Sequence, residues 1–191
     1  EQLNLNENQS FVLLKSETDA LGFTHDKYQL TYNGIKVEFT TYTMHSKNGK
    51  LVSMNGESYK MDNVVAVPSL SNQIAFTKAL AQVGATQYLW ENPAEAAIMN
   101  YQQPQGELVF LPSMNEINTE RTSDKVRLAY KFDIYASKPV SRGDVYIDAI
   151  TGEVLYYNAT IKHLGEYAHG TSHNCDNHNS NTTSTMAFTN M

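Results

Sequence analysis

The pattern of apolar and polar residues is most informative in the first sixty residues. Two segments rich in Tyr, Thr, Val and Phe flank Asn33-Gly34, a dipeptide favoured in two-residue hairpin turns because type I′ geometry needs positive φ at both central positions. Asn48-Gly49 and Asn55-Gly56 repeat this signal. The stretch therefore predicts an antiparallel meander with strands at residues 27–32, 35–46 and 50–54.

A helix is predicted after this meander. Ser69 or Ser71 can cap it, and Gly84 can end it. Between them, apolar residues recur at i, i+3, i+4 and i+7, the spacing of a core-facing helix stripe; they are Phe76, Ala79, Leu80 and Val83. We also expect a short helix from Ser10 to Ala20, packed on the first sheet.

The second half of the chain again predicts strands. Pro and Gly in residues 92–106 indicate a loop with one or two helical turns, followed by a strand at 107–112. Residues 125–137 alternate strictly between apolar and polar positions, which indicates a half-buried strand. A last hairpin is predicted from residues 144–149 and 153–158, turned by Ile150-Thr151-Gly152.

These elements together predict an α+β fold, because sequential strands joined by tight turns are set apart from the helices. We expect two small modules, residues 1–66 and 67–160, each an antiparallel sheet packed with helix. The composition changes near residue 161 to Asn, Thr, Ser and His without apolar periodicity. Residues 161–191 are therefore predicted to be an irregular polar tail or linker.

Composition narrows the function. The chain has 191 residues, enough for a core without disulfide bonds, and its net charge of −6 argues against a nucleic-acid binder, which needs a basic face. It contains no apolar run of 18 residues, so no membrane span is predicted. One Cys excludes an internal disulfide framework. Because the sequence begins at Glu1 rather than Met, we expect a fragment.

The motifs of common hydrolases and nucleotide-binding proteins are missing. The sequence has no Gly-x-Ser-x-Gly, no His-Glu-x-x-His and no phosphate-binding glycine loop. We therefore expect no catalytic residues and no enzymatic activity in this chain. We also expect no cofactor and no zinc in its folded part.

Polar residues elsewhere have two interpretations each. The cluster His169, His173, Cys175 and His178 offers metal-ligating atoms, but its spacing fits no standard zinc site, and a polar tail with adventitious metal affinity is the favoured interpretation. His25 and His45 can position a partner or, more simply, hydrogen-bond across a hairpin. Asp148 and Gly152 fit turn chemistry, as an acceptor of backbone N–H groups and a residue with positive φ.

The segment from His25 to Val37 resembles the His-x-Arg-Tyr-Gln-Gln-x-Tyr-x-Gly-Ile-Pro-Val signature of the fungalysin/thermolysin propeptide (FTP) domain. The matching positions are His25, Tyr28, Gln29, Tyr32, Gly34 and Val37. Residues 45–56 resemble the end of that module. Residues 128–132 and 145–155, with Asp148 and Gly152, resemble the PepSY domain, a cystatin-like module that follows FTP in the same precursors. Lys27, Leu30 and Lys36 depart from the signature as mild changes.

This resemblance implies the pro-region of a secreted thermolysin-like zinc metalloprotease. Such a propeptide assists the folding of its protease as an intramolecular chaperone and then inhibits it, keeping the precursor a zymogen. The implied partner is the catalytic domain, which carries the zinc; neither nucleic acid nor a membrane is implied as a partner. The implied location is secreted or periplasmic.

Alternatives remain open at this level. The chain can be a free-standing secreted or periplasmic protease inhibitor, or a small metal-binding protein that uses the His/Cys tail. If it is a pro-region, the best processing junction is His163–Leu164, because proteases of this family favour a bulky apolar residue after the cleaved bond. Tyr167–Ala168 is a weaker choice, and an unstructured tail is an equal alternative to processing.

Overall fold

The computed structural model of the chain describes residues 5–59, 61–113 and 125–161. Strands make up 54% and helices 15% of these residues. The strands are β1 (Gln9–Thr18), β2 (Phe23–Tyr32), β3 (Ile35–Lys47), β4 (Lys50–Gly56), β5 (Gln87–Tyr88), β6 (Glu107–Pro112), β7 (Val126–Lys138), β8 (Val140–Asp148) and β9 (Val154–Ile161). The helices are α1 (Asn72–Val83), a 3-10 turn at Leu89–Glu91 and α2 (Pro93–Ile98).

All nine strands join into one mixed sheet. Its main path runs β1-β2-β3-β6-β7-β8-β9, with β4 paired to β3 and β5 paired to β7. Neighbouring strands are antiparallel except β3 and β6, which pair in parallel at Val37 and Phe110. This parallel pair joins the first four strands to the rest.

The predicted α+β fold of two helix-packed antiparallel modules is wrong. The described residues form mainly a mixed sheet with two α-helices, and α1 packs on β7, β8 and β9 rather than on the first four strands. The physical reason is that β3 leaves β2 after Lys36 and rejoins it at Thr41, which frees the backbone at Val37 to pair with β6. The boundaries 1–66, 67–160 and 161–191 stay a prediction.

The predicted helix from Ser10 to Ala20 is also wrong, because Ser10 to Thr18 belong to the edge strand β1. Val12, Leu13 and Leu14 are all about half exposed. They therefore do not form the buried apolar face that a helix packed on the sheet would need. The register with β2 shifts between Leu13 and Lys15. Apolar and polar residues therefore do not alternate regularly along β1, and the period of two that indicates a strand is absent from the sequence.

The predicted meander and its turns are confirmed. Asn33 and Gly34 have φ of 50° and 76°, and Asn48 and Gly49 have φ of 50° and 72°, as type I′ turns require. The Asn55-Gly56 signal differs, because Gly56 ends β4 opposite Tyr42.

The predicted helix α1 is confirmed together with its caps. The Ser71 hydroxyl accepts a hydrogen bond from the Ile74 N–H, and Gly84, at φ 63°, donates its N–H to the Leu80 carbonyl. The predicted stripe faces the core: Phe76 and Ala79 are buried, while Leu80 and Val83 are partly buried against the same cluster.

The core lies mainly between α1 and one face of the sheet. Leu128, Tyr130 and Phe132 share that face of β7, as predicted, and join the large cluster. The opposite face holds a smaller buried cluster of Val109, Leu111, Ala129 and Tyr146, with Leu155 and Tyr156 packed on it. No helix in the described part of the chain is long and apolar enough to cross a membrane.

Candidate functional site

A wide bulge in β3 is the central feature of the motif-bearing hairpin. The buried Gln29 amide donates to the backbone carbonyls of Val37 and Thr40, at 2.6 and 2.9 Å. The Thr40 hydroxyl also donates to Val37 O at 2.6 Å. A buried carbonyl without a hydrogen-bond donor destabilises the fold. Because the Gln29 and Thr40 side chains supply donors, four residues of β3 can leave the ladder with β2 without this cost.

The bulge places two side chains against the second half of the sheet. Phe39, at φ 57° and half exposed, lies with its ring 6.3 Å from that of Tyr146 and 6.4 Å from that of Tyr156. Such a φ is strained for an aromatic residue. Glu38, which is buried, lies 3.4 Å from the Lys131 ammonium. The bulge thus brings Phe39 and Glu38 into contact with the second half of the sheet.

Lys131 is a charged link between these halves. Its ammonium also lies 3.5 Å from Asp144 and is only 20% exposed. Burial lowers the pKa of Lys131, but the charges of Glu38 and Asp144 outweigh this effect and raise it. The side chain is therefore held as a cation.

The other motif residues support the same hairpin. Tyr32 is buried and its ring meets Phe110 at 5.6 Å, while Gly34 forms the turn. Tyr28 packs at the edge of Phe11. His25 lies on the opposite side of β2, facing His45 across the strands.

Asp148 and Gly152 form the β8–β9 turn, in the roles expected from turn chemistry. Asp148 Oδ1 accepts the N–H groups of Ile150 and Thr151 at 2.8 and 2.7 Å, and Gly152 has φ 76°. The other oxygen of this buried carboxylate lies 2.6 Å from the Arg127 guanidinium. At that distance the carboxylate and the guanidinium form an ion pair.

A cleft lies where the last strand ends. It measures about 380 Å³ and is lined by Asp133, Arg142, Asp144, Thr160 and Ile161. Arg142 forms a two-bond pair with Asp133, at 2.9 and 2.6 Å. This pair raises the pKa of the already basic guanidinium further. The cleft can bind a polar extended segment, since it offers side chains of both charge signs beside the last residues of β9.

Tyr101 holds one wall of this region in place. Its hydroxyl donates to the Asp133 carbonyl at 2.6 Å and accepts the Tyr135 N–H at 3.0 Å. These β7 groups lie between the residues that pair with β6 and those that pair with β5. The hydroxyl therefore makes the two hydrogen bonds that a neighbouring strand would otherwise make at this position. Burial, opposed by the bond from Tyr135, raises the pKa of Tyr101 to about 12.

Several predicted residues lie outside the described part of the chain: the junction His163–Leu164 and the tail cluster His169, His173, Cys175 and His178. Within residues 5–59, 61–113 and 125–161, no group of three or more His, Cys, Asp or Glu is arranged to hold a metal.

Sequence reasoning missed the bulge contacts and the Tyr101 bridge. The sequence analysis gave no role to Glu38, Lys131 or Arg142. Their pairing depends on which strands are neighbours, and that information is absent from local patterns. The sequence signal that could have indicated the bulge is the pair Gln29 and Thr40, whose side chains donate hydrogen bonds to the carbonyls within it.

The comparisons with known proteins agree with the signature. Residues 9–58 match the family model described as the Fungalysin/Thermolysin Propeptide Motif. Bacillolysin of Bacillus subtilis subsp. amylosacchariticus is 26% identical over 162 residues, which is 84% of this chain and 29% of that protein. Bacillolysin of Bacillus amyloliquefaciens is 26% identical over 170 residues, or 87% of this chain and 30% of that protein.

A third relative is the thermostable neutral protease NprT of Geobacillus stearothermophilus, 28% identical over 144 residues, 75% of this chain and 24% of that protein. The chain thus spans less than a third of the length of these relatives. Among solved structures, the Bacillus megaterium YpeB C-terminal domain is 14% identical, with a TM-score of 0.40 over 78% of this chain and 56% of that one. The resemblance to a thermolysin-like metalloprotease pro-region is confirmed, and its PepSY part is untested.

Proposed function

We propose that this chain, which carries the FTP motif and resembles the pro-region of thermolysin-like neutral proteases, acts as the folding assistant and inhibitor of such a protease. The observation that supports this most is the FTP match at residues 9–58, within a similarity to bacillolysins that extends over 84% of the chain. The zinc belongs to the partner catalytic domain and the activity is extracellular.

The physical basis is the stability of extracellular proteases, which often rests on slow unfolding rather than on a large equilibrium free energy. A template that binds the native state preferentially stabilises it by mass action. While the two are covalently linked, their effective concentration reaches about millimolar, so that modest affinity is sufficient.

The cleft at the end of β9 is the proposed first contact with the catalytic domain. Ile161, the last described residue of β9, lines the cleft together with Arg142 and Asp144. Along the chain, this cleft is thus the described surface that is nearest to a catalytic domain following β9. We further propose cleavage between His163 and Leu164, which gives His163 a free carboxylate that can approach the zinc.

The test is inhibition and refolding with a bacillolysin-type neutral protease. The purified chain is added to the mature enzyme, and hydrolysis of an internally quenched peptide is followed. In a second assay, denatured catalytic domain is diluted from guanidinium with and without the chain. In the first assay we expect hydrolysis to stop when the chain is present at about one equivalent of the enzyme. In the second, we expect more protease activity to be recovered with the chain than without it, once the chain has been digested.

The controls separate the alternatives. Arg142→Gln should weaken inhibition, whereas Lys15→Gln, which removes an exposed pair with Glu17 on β1, should not. Inhibition without any gain in refolded activity supports the free-standing inhibitor. If the chain is simply digested, with no delay in peptide hydrolysis across several such proteases, the proposal is wrong. Mass spectrometry of the first fragments tests the His163–Leu164 bond.

A further inference from the structure

Two histidines meet in the β2–β3 hairpin, at the end opposite its Asn33-Gly34 turn. His25 in β2 and His45 in β3 are direct cross-strand partners, and their Nδ1 atoms lie 2.6 Å apart. The His25 side chain is 35% exposed, so the pair is open to small solutes.

The outer nitrogen of each ring faces an oxygen acceptor. His25 Nε2 lies 3.2 Å from Asp19 Oδ2, and His45 Nε2 lies 2.9 Å from Asn55 Oδ1. A carboxylate and an amide oxygen accept hydrogen bonds only. The two Nδ1 atoms are therefore the inner pair, hydrogen-bonded to each other in a direction that the tautomers set.

A metal ion that takes the place of the proton in this contact would be bound by both nitrogens at once. We propose that His25 Nδ1 and His45 Nδ1 bind one divalent transition-metal ion, of the class of Cu²⁺, Ni²⁺ or Zn²⁺. Unprotonated imidazole nitrogen is a preferred ligand of these ions. The inference is independent of the proposed pro-region function.

The surroundings match those of metal-binding histidines. Such a ring commonly donates its other N–H to a carboxylate, which fixes its orientation and strengthens the ligand; Asp19 has this role for His25. The other oxygen of Asp19 accepts the Phe23 N–H at 2.9 Å, which fixes the carboxylate beside His25.

The site has two protein ligands, since the described residues contain no group of three. Water fills the remaining positions. Zinc–nitrogen bonds of about 2.0–2.1 Å at a tetrahedral angle separate two nitrogens by about 3.3 Å. Binding thus requires the rings to part by about 0.7 Å. Glu17 and Ser53 occupy the adjacent register positions on β1 and β4.

The experiment uses the full chain with the competing tail ligands replaced. The chain has six histidines, and the background variant carries His163→Gln, His169→Gln, His173→Gln, Cys175→Ser and His178→Gln. Only His25 and His45 then remain. Titration with Ni²⁺, Cu²⁺ and Zn²⁺ is followed by calorimetry, and by imidazole ¹⁵N NMR with the diamagnetic Zn²⁺.

We expect one ion per chain, with Cu²⁺ bound most tightly, and a zinc-induced shift of both Nδ1 resonances. His45→Gln should abolish binding. Asp19→Asn should weaken it about 10- to 100-fold while leaving the stoichiometry unchanged. Asp26→Asn, an acid on the opposite side of β2, is the matched control and should leave affinity unchanged.

Three results would overturn the proposal. One is the absence of saturable binding in the folded background variant, as checked by circular dichroism. Another is binding that persists in His45→Gln. A third is an Nδ1–H signal on His45 that remains on adding metal, which would show an ordinary hydrogen bond with the Asn55 amide turned.

Discussion

Replacing Tyr101 with Phe tests the bridge on β7. The change removes one hydroxyl that bonds the Asp133 carbonyl at 2.6 Å and the Tyr135 N–H at 3.0 Å. It leaves two backbone groups of a central strand without these partners. Two net hydrogen bonds and partial desolvation give an expected loss of about 2–3 kcal/mol in the free energy of unfolding.

The pH dependence tests the bridge in a second way. Burial raises the pKa of Tyr101 from 10.0 to about 12, so the fold favours the neutral hydroxyl over the ionised one. For a raised pKa, the stabilisation is complete below the unfolded value. It should therefore be constant up to about pH 10 and be lost as the pH rises towards 12.

The assay is urea unfolding followed by circular dichroism from pH 7 to 12. The stability difference between wild type and Tyr101→Phe should shrink over pH 10–12, while the other tyrosines titrate equally in both proteins. Tyr135→Phe is the matched control, because its ring packs on Tyr101 at 5.9 Å but its hydroxyl takes no part in the bridge. A Tyr101→Phe loss no larger than the control, or a difference independent of pH, would refute the reasoning.

Three further changes test other features. Gln29→Ala should cost about 2–4 kcal/mol, since the bulge carbonyls lose their donor inside the protein; a loss below 1 kcal/mol in urea unfolding would contradict this. The bond from the Phe23 N–H, and to a smaller extent the bond to His25, lower the pKa of Asp19 from 3.8, so the turn that Asp19 caps should be intact above that pH and loosen as the pH falls below it. The protection factor of the Phe23 amide against hydrogen exchange should fall over this range in the wild type and stay constant in Asp19→Asn. Gly143→Ala should cost about 1–3 kcal/mol by overpacking, because a Cβ there would lie 2.6 Å from a Tyr157 ring atom, and an unchanged urea midpoint would count against it.

Local patterns were sufficient where local chemistry decides the structure. The Asn33-Gly34 turn, the Ser71 and Gly84 caps and the alternation along β7 each depend on residues a few positions apart. They were predicted and are found. The β8–β9 turn at Asp148 follows the same rule.

Features that depend on strand neighbours were not predicted. Val12, Leu13 and Leu14 are apolar in succession on an exposed edge strand with a register shift, so neither a helical nor a strand period is visible. The parallel pairing of Val37 with Phe110 needs the bulge that Gln29 stabilises, and this bulge is a property of three strands together. The contact between His25 and His45 depends on the register of β2 against β3, which cannot be derived from local sequence patterns.

The single parallel contact between β3 and β6 has a kinetic consequence. Val37 and Phe110 lie 73 positions apart in the chain, whereas β1 to β4 are connected by short turns. Hairpins close in microseconds, but contacts between distant residues must first overcome the entropy of a long loop. The first four strands can thus form while the rest is still being synthesised. We expect the joining of Val37 to Phe110 to be the slow step, and substitutions at Gln29 to slow folding more than they speed unfolding.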